Sequence, residues 1–262
     1  MAAIYVFART ADDIADEGDA SPAERLRTLA AYRADLAATA RGDAASPRWP
    51  EVFPRLAPVL RDHALPEPLL AALLSAFVQD IEKTRDQSRY ADRAELLDYC
   101  ARSANPIGRL LLHLYDVHDA DALAQSDAIC SALQLINFWQ DPSVDLPRGR
   151  LYFPLADCAR HGVAPELLLG LSDAAASSAS ASGSATLALI ADEVAWARAL
   201  IRQGAPLVHR LPGRIGWELR FVVQGGLRIL DKIEALHFDT PRHRPTLRPT
   251  DAPLLAWRAL RM

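Results

Sequence analysis

Two pairs of aspartates share a four-residue spacing. Asp12 and Asp16 lie in FARTADDIAD, and Asp141 and Asp145 lie in NFWQDPSVD. On a helix, residues four apart lie on one face about one turn apart, so their carboxylates can bind a hard cation together. The spacing therefore predicts magnesium binding at both pairs. A single pair of this kind, however, is more often an ordinary solvated surface on which a nearby arginine pairs with the acids.

Polar side chains also precede the second aspartate pair on the same predicted helix. Gln134, Asn137 and Asp141 recur at helical spacing in an otherwise apolar segment. Burying two amides and a carboxylate is costly without partners, so this stripe is either a ligand-binding face or a satisfied polar seam between helices. Pro142 cannot donate a backbone hydrogen bond to Phe138 and disfavours helical conformation at Asp141. We therefore expect the helix to kink or stop there.

Two carboxylate clusters facing each other across a helical cavity suit a diphosphate substrate when Mg²⁺ is bound. The divalent cation reverses the repulsion between the acids and the phosphate oxygens, and it stabilises the leaving group. Leu, Ile, Phe and Trp around the cavity would shelter the carbocation that remains. Arg9 and Arg150 are candidates for charge-assisted contacts to phosphate, although a surface ion pair is the more ordinary role of either arginine alone.

The elements that must position these groups are predicted to be helices, because apolar residues recur at helical spacing along most of the chain. Helices are predicted up to Asp16 and at about 21–41, 51–62, 67–86, 92–115, 120–140, 187–209 and 214–236, with a loop at 141–165 and a linker at 172–186. We predict an all-α fold with one helical domain at 1–236 and a basic, proline-rich extension at 237–262. Because the first residues already continue an apolar face, we also expect a further helix upstream of Met1.

Composition limits the partners and the cellular compartment. The net charge of -4 and the pI near 6.0 give no reason to expect nucleic acid. Cys100, Cys130 and Cys158 are odd in number and contain no CxxC, which argues against a disulfide framework or a structural zinc site. No apolar run is long enough for a membrane span. We expect a cytoplasmic protein, with peripheral contact to an anionic membrane as an alternative role for the amphipathic LLAWRAL of the extension.

Four motifs carry a family resemblance. The chain contains, in this order, FARTADDIAD, LLDYCARSANPIGRLL, ALQLINFWQDPSVDLPRGRLYFP and GGLRILDKIE. Over essentially its whole length it resembles the squalene/phytoene synthase family, and SANPIG and NFWQD are most similar to the bacterial hydroxysqualene synthase branch of hopanoid biosynthesis. The resemblance implies a single-domain α-helical isoprenoid-synthase fold around a central cavity.

The resemblance also implies roles for individual residues. The magnesium-binding set is Asp12, Asp16, Asn137, Asp141 and Asp145. Tyr5, Arg9, Gln134 and Asn137 fall on substrate-binding positions. Tyr99 falls on a tyrosine that acts near the diphosphate through hydrogen bonding or proton transfer, although a core tyrosine with a satisfied hydroxyl is the alternative. The chain departs from many relatives at Gln140, where they have arginine, and at Gly226, where condensing relatives have tyrosine. We expect the small Gly226 to admit water or a differently shaped cation.

The implied reaction is Mg²⁺-dependent ionisation of presqualene diphosphate, followed by rearrangement and capture by water to give hydroxysqualene and diphosphate. Head-to-head condensation of two farnesyl diphosphates is the enzymatic alternative. A non-catalytic relative that acts as an assembly factor is the alternative from another class, although retention of both aspartate pairs argues against it. The resemblance further implies hand-off from and to neighbouring pathway enzymes, with the protein in the cytoplasm or at the inner membrane.

Overall fold

The computed structural model describes residues 2–170 and 181–262, and every regular element within these ranges is helical. The all-α prediction is confirmed. The chain forms two compact units, one from Met1–Ser88 and Tyr99–His118 and the other from Arg89–Asp98 and Asp119–Met262. The single domain at 1–236 stays a prediction.

The first unit is built from helices whose ends follow local sequence signals. Its helices are α1 (Ala2–Asp16), α2 (Pro22–Arg41), α3 (Phe53–Asp62), α4 (Glu67–Asp86), the part of α5 (Arg93–Ser103) from Tyr99 onward, and α6 (Asn105–Leu114). Ser21 and Glu24 form a capping box at the start of α2, and Gly42 ends this helix in the left-handed region at φ 84°. The single helix predicted at 92–115 is wrong: Pro106 falls in the first turn of a new helix, so α5 and α6 are separate.

An aromatic cluster fixes α1 in the first unit. The rings of Phe7 and Tyr32 stack with centroids 5.1 Å apart, and Phe53 lies within 6.4 Å of Phe7 and 5.0 Å of Tyr32. The Tyr32 hydroxyl donates to the Phe7 carbonyl at 3.0 Å, and burial raises the pKa of this tyrosine. Arg25 caps the other end of α1 by donating to the carbonyl of Ala15 at 2.6 Å. The helix that carries the first aspartate pair is therefore held at both its core face and its C-terminus.

The second unit contains the remaining helices. They are α7 (Ala120–Gln140), α8 (Pro142–Asp145), α9 (Leu155–Arg160), α10 (Pro165–Gly170), α11 (Ala181–Gly204), α12 (Gly213–Ala235) and α13 (Ala252–Leu260), with 3-10 turns at Leu146–Arg148, Ala205–His209 and Pro249–Asp251. The segment at 141–165 was predicted as a loop, but α8 and α9 lie in it. Of the linker predicted at 172–186, residues 172–180 lie outside the described residues and 181–186 belong to α11.

Gly204 permits the close approach of α11 to α7. A Cβ atom at this position would lie 2.5 Å from the carbonyl oxygen of Gln125 and 2.5 Å from Cγ1 of Ile129. Real side chains do not tolerate such distances, and one of the two contacts is with backbone, which cannot rotate away. Only glycine at position 204 therefore allows the end of α11 to pack this closely against α7.

The segment after 236 packs on α12, whereas the sequence predicted an extension. Arg228 on α12 pairs with Asp251 at 2.8 Å, and Arg220, two turns earlier on α12, donates to the Ala259 carbonyl at 3.2 Å. Helix α13 therefore runs antiparallel to α12. Lys232 also bonds Asp251 at 2.7 Å, and this contact holds the pKa of the buried carboxyl below its usual range. The basic residues of this segment are thus partly used for internal ion pairs.

Candidate active site

The first aspartate pair lies on an accessible stripe of α1. Its residues are at helical spacing, namely Tyr5, Arg9, Asp12 and Asp16. The buried side chains of α1 form a different face, consisting of Ile4, Phe7, Ala11 and Ala15. Tyr5 is 70% exposed and Asp16 is exposed, so the acids border the buried face and do not lie within it.

Arg9 already pairs with carboxylates of its own helix. Its Nη1 lies 2.8 Å from Asp12 Oδ2, and its Nη2 lies 2.7 Å from Asp13 Oδ1. All three side chains are about half exposed, so these pairs contribute little to stability and can rearrange at small cost. Arg9 is therefore available to exchange its carboxylate partners for another anion.

Tyr99 is buried in the first unit and bonded to an aspartate that sequence reasoning missed. The Tyr99 hydroxyl donates to Asp80 Oδ2 at 2.5 Å, and Tyr99 is 4% exposed. One helical turn along α5, Arg102 donates to Gln79, the neighbour of Asp80 on α4. A short hydrogen bond to a carboxylate is among the stronger neutral-to-ion contacts in proteins. The phenol proton of Tyr99 thus points at Asp80, and the phenol oxygen keeps acceptor capacity.

The second aspartate pair does not share one regular helical turn. Helix α7 ends at Gln140, Asp141 has φ −110° and ψ 23°, and Pro142 begins α8. The break predicted at Asp141 is confirmed. The Asp141 carbonyl accepts from the backbone N–H of Val144 at 2.8 Å and of Asp145 at 2.9 Å. Asp145 therefore belongs to a separate short turn that starts from Asp141.

Arg244 binds the carboxylate of Asp141 and was missed by sequence reasoning. Its Nε lies 2.5 Å from Asp141 Oδ1, and its Nη2 lies 2.9 Å from Oδ2, which is the bidentate geometry of arginine with a carboxylate. The contact with Asp141 raises the pKa of Arg244. Gln140 fixes the same segment, because its side-chain amide donates to the Pro245 carbonyl at 2.7 Å. Gln140 and Asp141, at the end of α7, thus anchor the segment that contains Arg244 and Pro245.

A cavity of about 410 Å³ lies in the second unit beside the end of α7. Its walls are largely apolar, with amide side chains from α7, and are formed by Leu133, Ile136, Asn137, Gln140, Phe221, Val222, Gly225, Gly226, Ile229 and Leu247. Asn137 is exposed, whereas Gln134 is half-buried and does not line the cavity. The predicted stripe of Gln134, Asn137 and Asp141 therefore presents one amide to the cavity and a carboxylate at the helix end.

Gly226 does not open space for water. A Cβ atom there would lie 2.8 Å from Cδ1 of Ile201, 2.9 Å from Cδ2 of Leu133 and 3.2 Å from Cδ1 of Ile136. The ends of apolar side chains already fill the space that a side chain at 226 would take. The expectation that this glycine admits water is therefore wrong. Among the residues that the structure describes, a Cβ atom at Gly225 would meet only Leu247, at 3.7 Å.

Arg150 closes the loop that follows the second aspartate pair. Its backbone N–H donates to the Asp145 carbonyl at 3.0 Å, and Gly149 precedes it in the left-handed region at φ 73°. Arg89 donates to the Gly149 carbonyl at 3.2 Å. Arg150 itself is half-buried. The chain therefore brings Arg150 back to the turn that carries Asp145, by backbone contacts.

A separate acidic group in the second unit involves none of the predicted ligands. Carboxylate oxygens of Asp157, Asp192 and Glu193 lie within 4.8 Å of one another. Arg93 bridges them: its Nε lies 2.9 Å from Asp157, and its Nη2 lies 2.8 Å from Asp192 and 3.5 Å from Glu193. Arg160 adds a pair with Asp157 at 2.6 Å. Guanidinium groups thus supply the positive charge that holds this group together.

Glu193 is the most deeply buried member of this group. It is fully buried, and neither of its carboxylate oxygens has a hydrogen-bond partner in the described part of the chain. Burial and the neighbouring Asp157 raise the pKa of Glu193 to about 8, although Arg93 opposes the shift. Glu193 is therefore largely protonated near neutral pH.

Comparison with known proteins agrees with this helical architecture. The structure is similar to the crystal structure of squalene synthase HpnC from Alicyclobacillus acidocaldarius, with 31% identity, a TM-score of 0.75, and coverage of 90% of this chain and 82% of that chain. A dehydrosqualene synthase shares the fold at a TM-score of 0.75 and 21% identity. The fold is that of the isoprenoid synthases, and the chain is an enzyme of this class.

Sequence comparison narrows the class. The family model for squalene/phytoene synthase matches residues 1–251. Hydroxysqualene synthase of Sinorhizobium fredii is 33% identical over 237 residues, which cover 89% of this chain and 72% of that protein. Presqualene diphosphate synthase of Rhodopseudomonas palustris is 35% identical over 157 residues, which cover 59% of this chain and 52% of that protein. The chain belongs to the squalene/phytoene synthase family, as the sequence motifs predicted.

Proposed function

We propose that the protein converts presqualene diphosphate into hydroxysqualene and diphosphate in hopanoid biosynthesis, with Mg²⁺ as cofactor. In this reaction the bond from carbon to the diphosphate oxygen breaks, the cyclopropylcarbinyl cation rearranges, and water adds to the cation and loses a proton. The observation that carries the proposal is the largely apolar cavity beside the end of α7, whose wall includes Asn137, one turn before Asp141 along the chain. The similarity to a hydroxysqualene synthase over 89% of the chain favours this substrate.

The donor set suits magnesium. Mg²⁺ prefers oxygen ligands, and carboxylates with a side-chain amide oxygen supply them. The proposed ligands are Asp12, Asp16, Asn137, Asp141 and Asp145, all of which carry such oxygens. Bound magnesium would neutralise the diphosphate and stabilise it as a leaving group. The accessible carboxylates of Asp12 and Asp16 in the first unit, and Asn137 on the cavity wall, can accept such a cation without loss of packing.

The arginines and Tyr99 handle charge and protons in this proposal. Arg9 pairs with carboxylates that are about half exposed, so it can exchange them for phosphate oxygens. Tyr5 lies one turn away on the same stripe of α1. Arg150 and Gln134 are proposed as further substrate contacts in the second unit. Because the hydroxyl proton of Tyr99 is directed at Asp80, its oxygen can accept a hydrogen bond or pass a proton on to Asp80.

Product analysis tests this proposal. The purified chain is incubated with presqualene diphosphate with and without Mg²⁺, and products are identified by mass spectrometry. We expect a Mg²⁺-dependent alcohol together with released diphosphate, without a nicotinamide cofactor. No turnover of presqualene diphosphate at any Mg²⁺ concentration would contradict the proposal.

Two aspartate variants refine the metal assignment. Asp141 is buried at the end of α7, whereas Asp145 is half-buried on the next short turn. Asp141→Asn should therefore cost more activity than Asp145→Asn, because Asp145 would contact the magnesium over a longer distance or through water. Equal losses would contradict the ranking. Tyr115→Phe, at an exposed position outside the proposed site, is the control for handling effects.

A second candidate function is condensation of two farnesyl diphosphates to presqualene diphosphate or squalene. The similarity to a presqualene diphosphate synthase at 35% identity favours it, although over a smaller part of the chain. Incubation with farnesyl diphosphate alone separates the two functions, because only the condensing enzyme would consume it. Under either function we propose a cytoplasmic enzyme that exchanges isoprenoid diphosphates or their products with neighbouring pathway enzymes.

A further inference from the structure

The segment 89–93, at the start of α5, supplies backbone acceptors for the start of α9. The first N–H groups of a helix have no partner within it, and α9 has no side-chain cap. The backbone N–H of Leu155 donates instead to the Tyr90 carbonyl at 2.9 Å. The backbone N–H of Ala156 donates to the Ala91 carbonyl at 2.9 Å. The segment therefore fixes the point at which the loop after the second aspartate pair enters α9.

The peptide group that joins Gly149 to Arg150 is held at both of its polar atoms. Its carbonyl accepts from Arg89 Nη1 at 3.2 Å. Its N–H donates to the Asp145 carbonyl at 3.0 Å. Because a peptide group is planar, two hydrogen bonds from opposite sides fix its orientation. Arg89 and the turn of the second aspartate pair thus set together the direction in which the Arg150 side chain leaves the backbone.

Stacked rings fix the loop on the other side of Arg150. The ring of Tyr90, the neighbour of Arg89, stacks on that of Tyr152 with centroids 6.0 Å apart. The Tyr152 ring in turn stacks on Phe138 of α7, with centroids 3.7 Å apart and planes 9° apart. Both Tyr90 and Phe138 are buried, so neither ring can move freely. The loop around Arg150 is therefore held against α7, the helix that leads to the second aspartate pair.

Arg93 fastens the end of the same loop independently of Arg89. Its Nε lies 2.9 Å from Asp157 of α9, and its guanidinium lies 4.6 Å from the ring centroid of Trp196 on α11. Helix α9 is thereby tied to α11. Loss of the Arg89 side chain should consequently loosen the peptide group before Arg150 without detaching the loop.

We propose that Arg89 is a positioning residue for Arg150 and orients the Arg150 guanidinium towards a phosphate group of the diphosphate substrate. The inference rests on the proposed function, in which Arg150 contacts the substrate. A planar guanidinium binds phosphate oxygens in pairs, so its orientation matters more than that of a point charge. A displacement of about 1 Å in such a group can cost about a hundredfold in rate. Arg89 itself acts on the Gly149 carbonyl and does not touch the substrate.

Binding of inorganic diphosphate in the presence of Mg²⁺ tests the proposal without any turnover. Isothermal titration calorimetry with the full chain measures the affinity. Arg150→Gln should weaken binding about thirtyfold, because a charge-assisted contact to phosphate is lost. Arg89→Gln should weaken it about tenfold, because the guanidinium of Arg150 remains but is misplaced. In a protein that already carries Arg150→Gln, adding Arg89→Gln should change the affinity by less than about twofold, since its effect passes through Arg150.

Two further variants separate positioning from general effects. Arg89→Lys keeps a cationic donor for the Gly149 carbonyl and should restore most of the affinity that Arg89→Gln loses. Arg85→Gln removes a guanidinium four residues earlier, which pairs with Asp86 at 2.7 Å, and should leave the affinity unchanged. Circular dichroism should show the same helix content for all of these variants.

The double variant decides between the possible roles of Arg89. An equal loss from Arg89→Gln with and without Arg150→Gln would overturn the proposal, because Arg89 would then bind diphosphate itself or act through another residue. A loss from Arg150→Gln alone, with Arg89→Gln at the level of the parent protein, would overturn the inference and leave the proposed function intact. If Arg150→Gln leaves the affinity unchanged, the role of Arg150 in the proposed function fails together with this inference.

Discussion

The buried Glu193 predicts a specific dependence of stability on pH. The pKa of this glutamate rises from 4.5 to about 8 on folding, so the folded state holds a proton that the unfolded chain releases at lower pH. The contribution of Glu193 to stability is therefore fully present below about pH 4.5 and is lost as the pH rises towards about 8. One pKa unit corresponds to about 1.4 kcal/mol, so the loss between about pH 5 and about pH 8 is on the order of 3 kcal/mol.

The variant Glu193→Gln tests this reasoning because glutamine has nearly the shape of the protonated acid and cannot ionise. Its free energy of unfolding should not fall with pH through this group, so its advantage over the parent protein should grow by on the order of 3 kcal/mol across the same window. Urea denaturation followed by circular dichroism measures the free energy of unfolding at each pH. Amide hydrogen exchange on α11, which carries Glu193, shows whether the effect lies in the second unit.

The control is Glu166→Gln, which makes the same chemical change at an exposed position of the same unit. The free energy of unfolding of this variant, plotted against pH, should remain parallel to that of the parent protein. If the profile of Glu193→Gln is also parallel to the parent, Glu193 is already charged in the folded protein at neutral pH. Arg93, at 3.5 Å, would then compensate burial fully, and the argument from desolvation would be refuted.

Three further predictions concern single contacts. A double-mutant cycle of Arg244→Gln and Asp141→Asn should give a coupling free energy of about 1–2 kcal/mol in urea denaturation, below the range for fully buried pairs because Arg244 is half exposed; additive effects would show that the bidentate contact is not formed in solution. Asp80→Asn should lower kcat about tenfold and shift the pH profile of diphosphate release, but should have no added effect in a Tyr99→Phe background; an unchanged profile would make Asp80 purely structural. Gly204→Ala should reduce the free energy of unfolding by about 1–3 kcal/mol because its methyl group would meet backbone, and an unchanged melting temperature would contradict the close packing.

Helix positions were largely predictable because their signals are local. The predicted ranges 67–86 and 120–140 match α4 and α7 at both ends. The break at Asp141 was predictable from Pro142, since the ring removes a backbone donor and restricts the preceding residue. The short helices after 141 were missed, because one or two turns have too weak a periodicity to stand out from a loop. The split between α5 and α6 was missed although Pro106 is a local signal for it.

The candidate site was only partly predictable. The aspartate spacing and the four motifs located the proposed magnesium ligands and the family, and both depend on residues close together in sequence. Two partners had no local signal, because side chains that meet in space can lie far apart along the chain. Asp80 meets Tyr99 across 19 residues, and Arg244 meets Asp141 across 103. The basic segment around 244 was consequently interpreted as an extension.

The sequence by itself thus determined the all-helical class, the family and the residue types available for diphosphate chemistry, since periodicity and motif spacing are properties of short segments. Only the tertiary structure decided which charges are already paired and which acid is buried enough to keep its proton. It also decided whether the space beside a glycine is open or is filled by neighbouring side chains. These properties depend on burial and on the distance between elements. Arg244, Glu193 and Gly226 acquire their roles from neighbours that the order of residues alone does not specify.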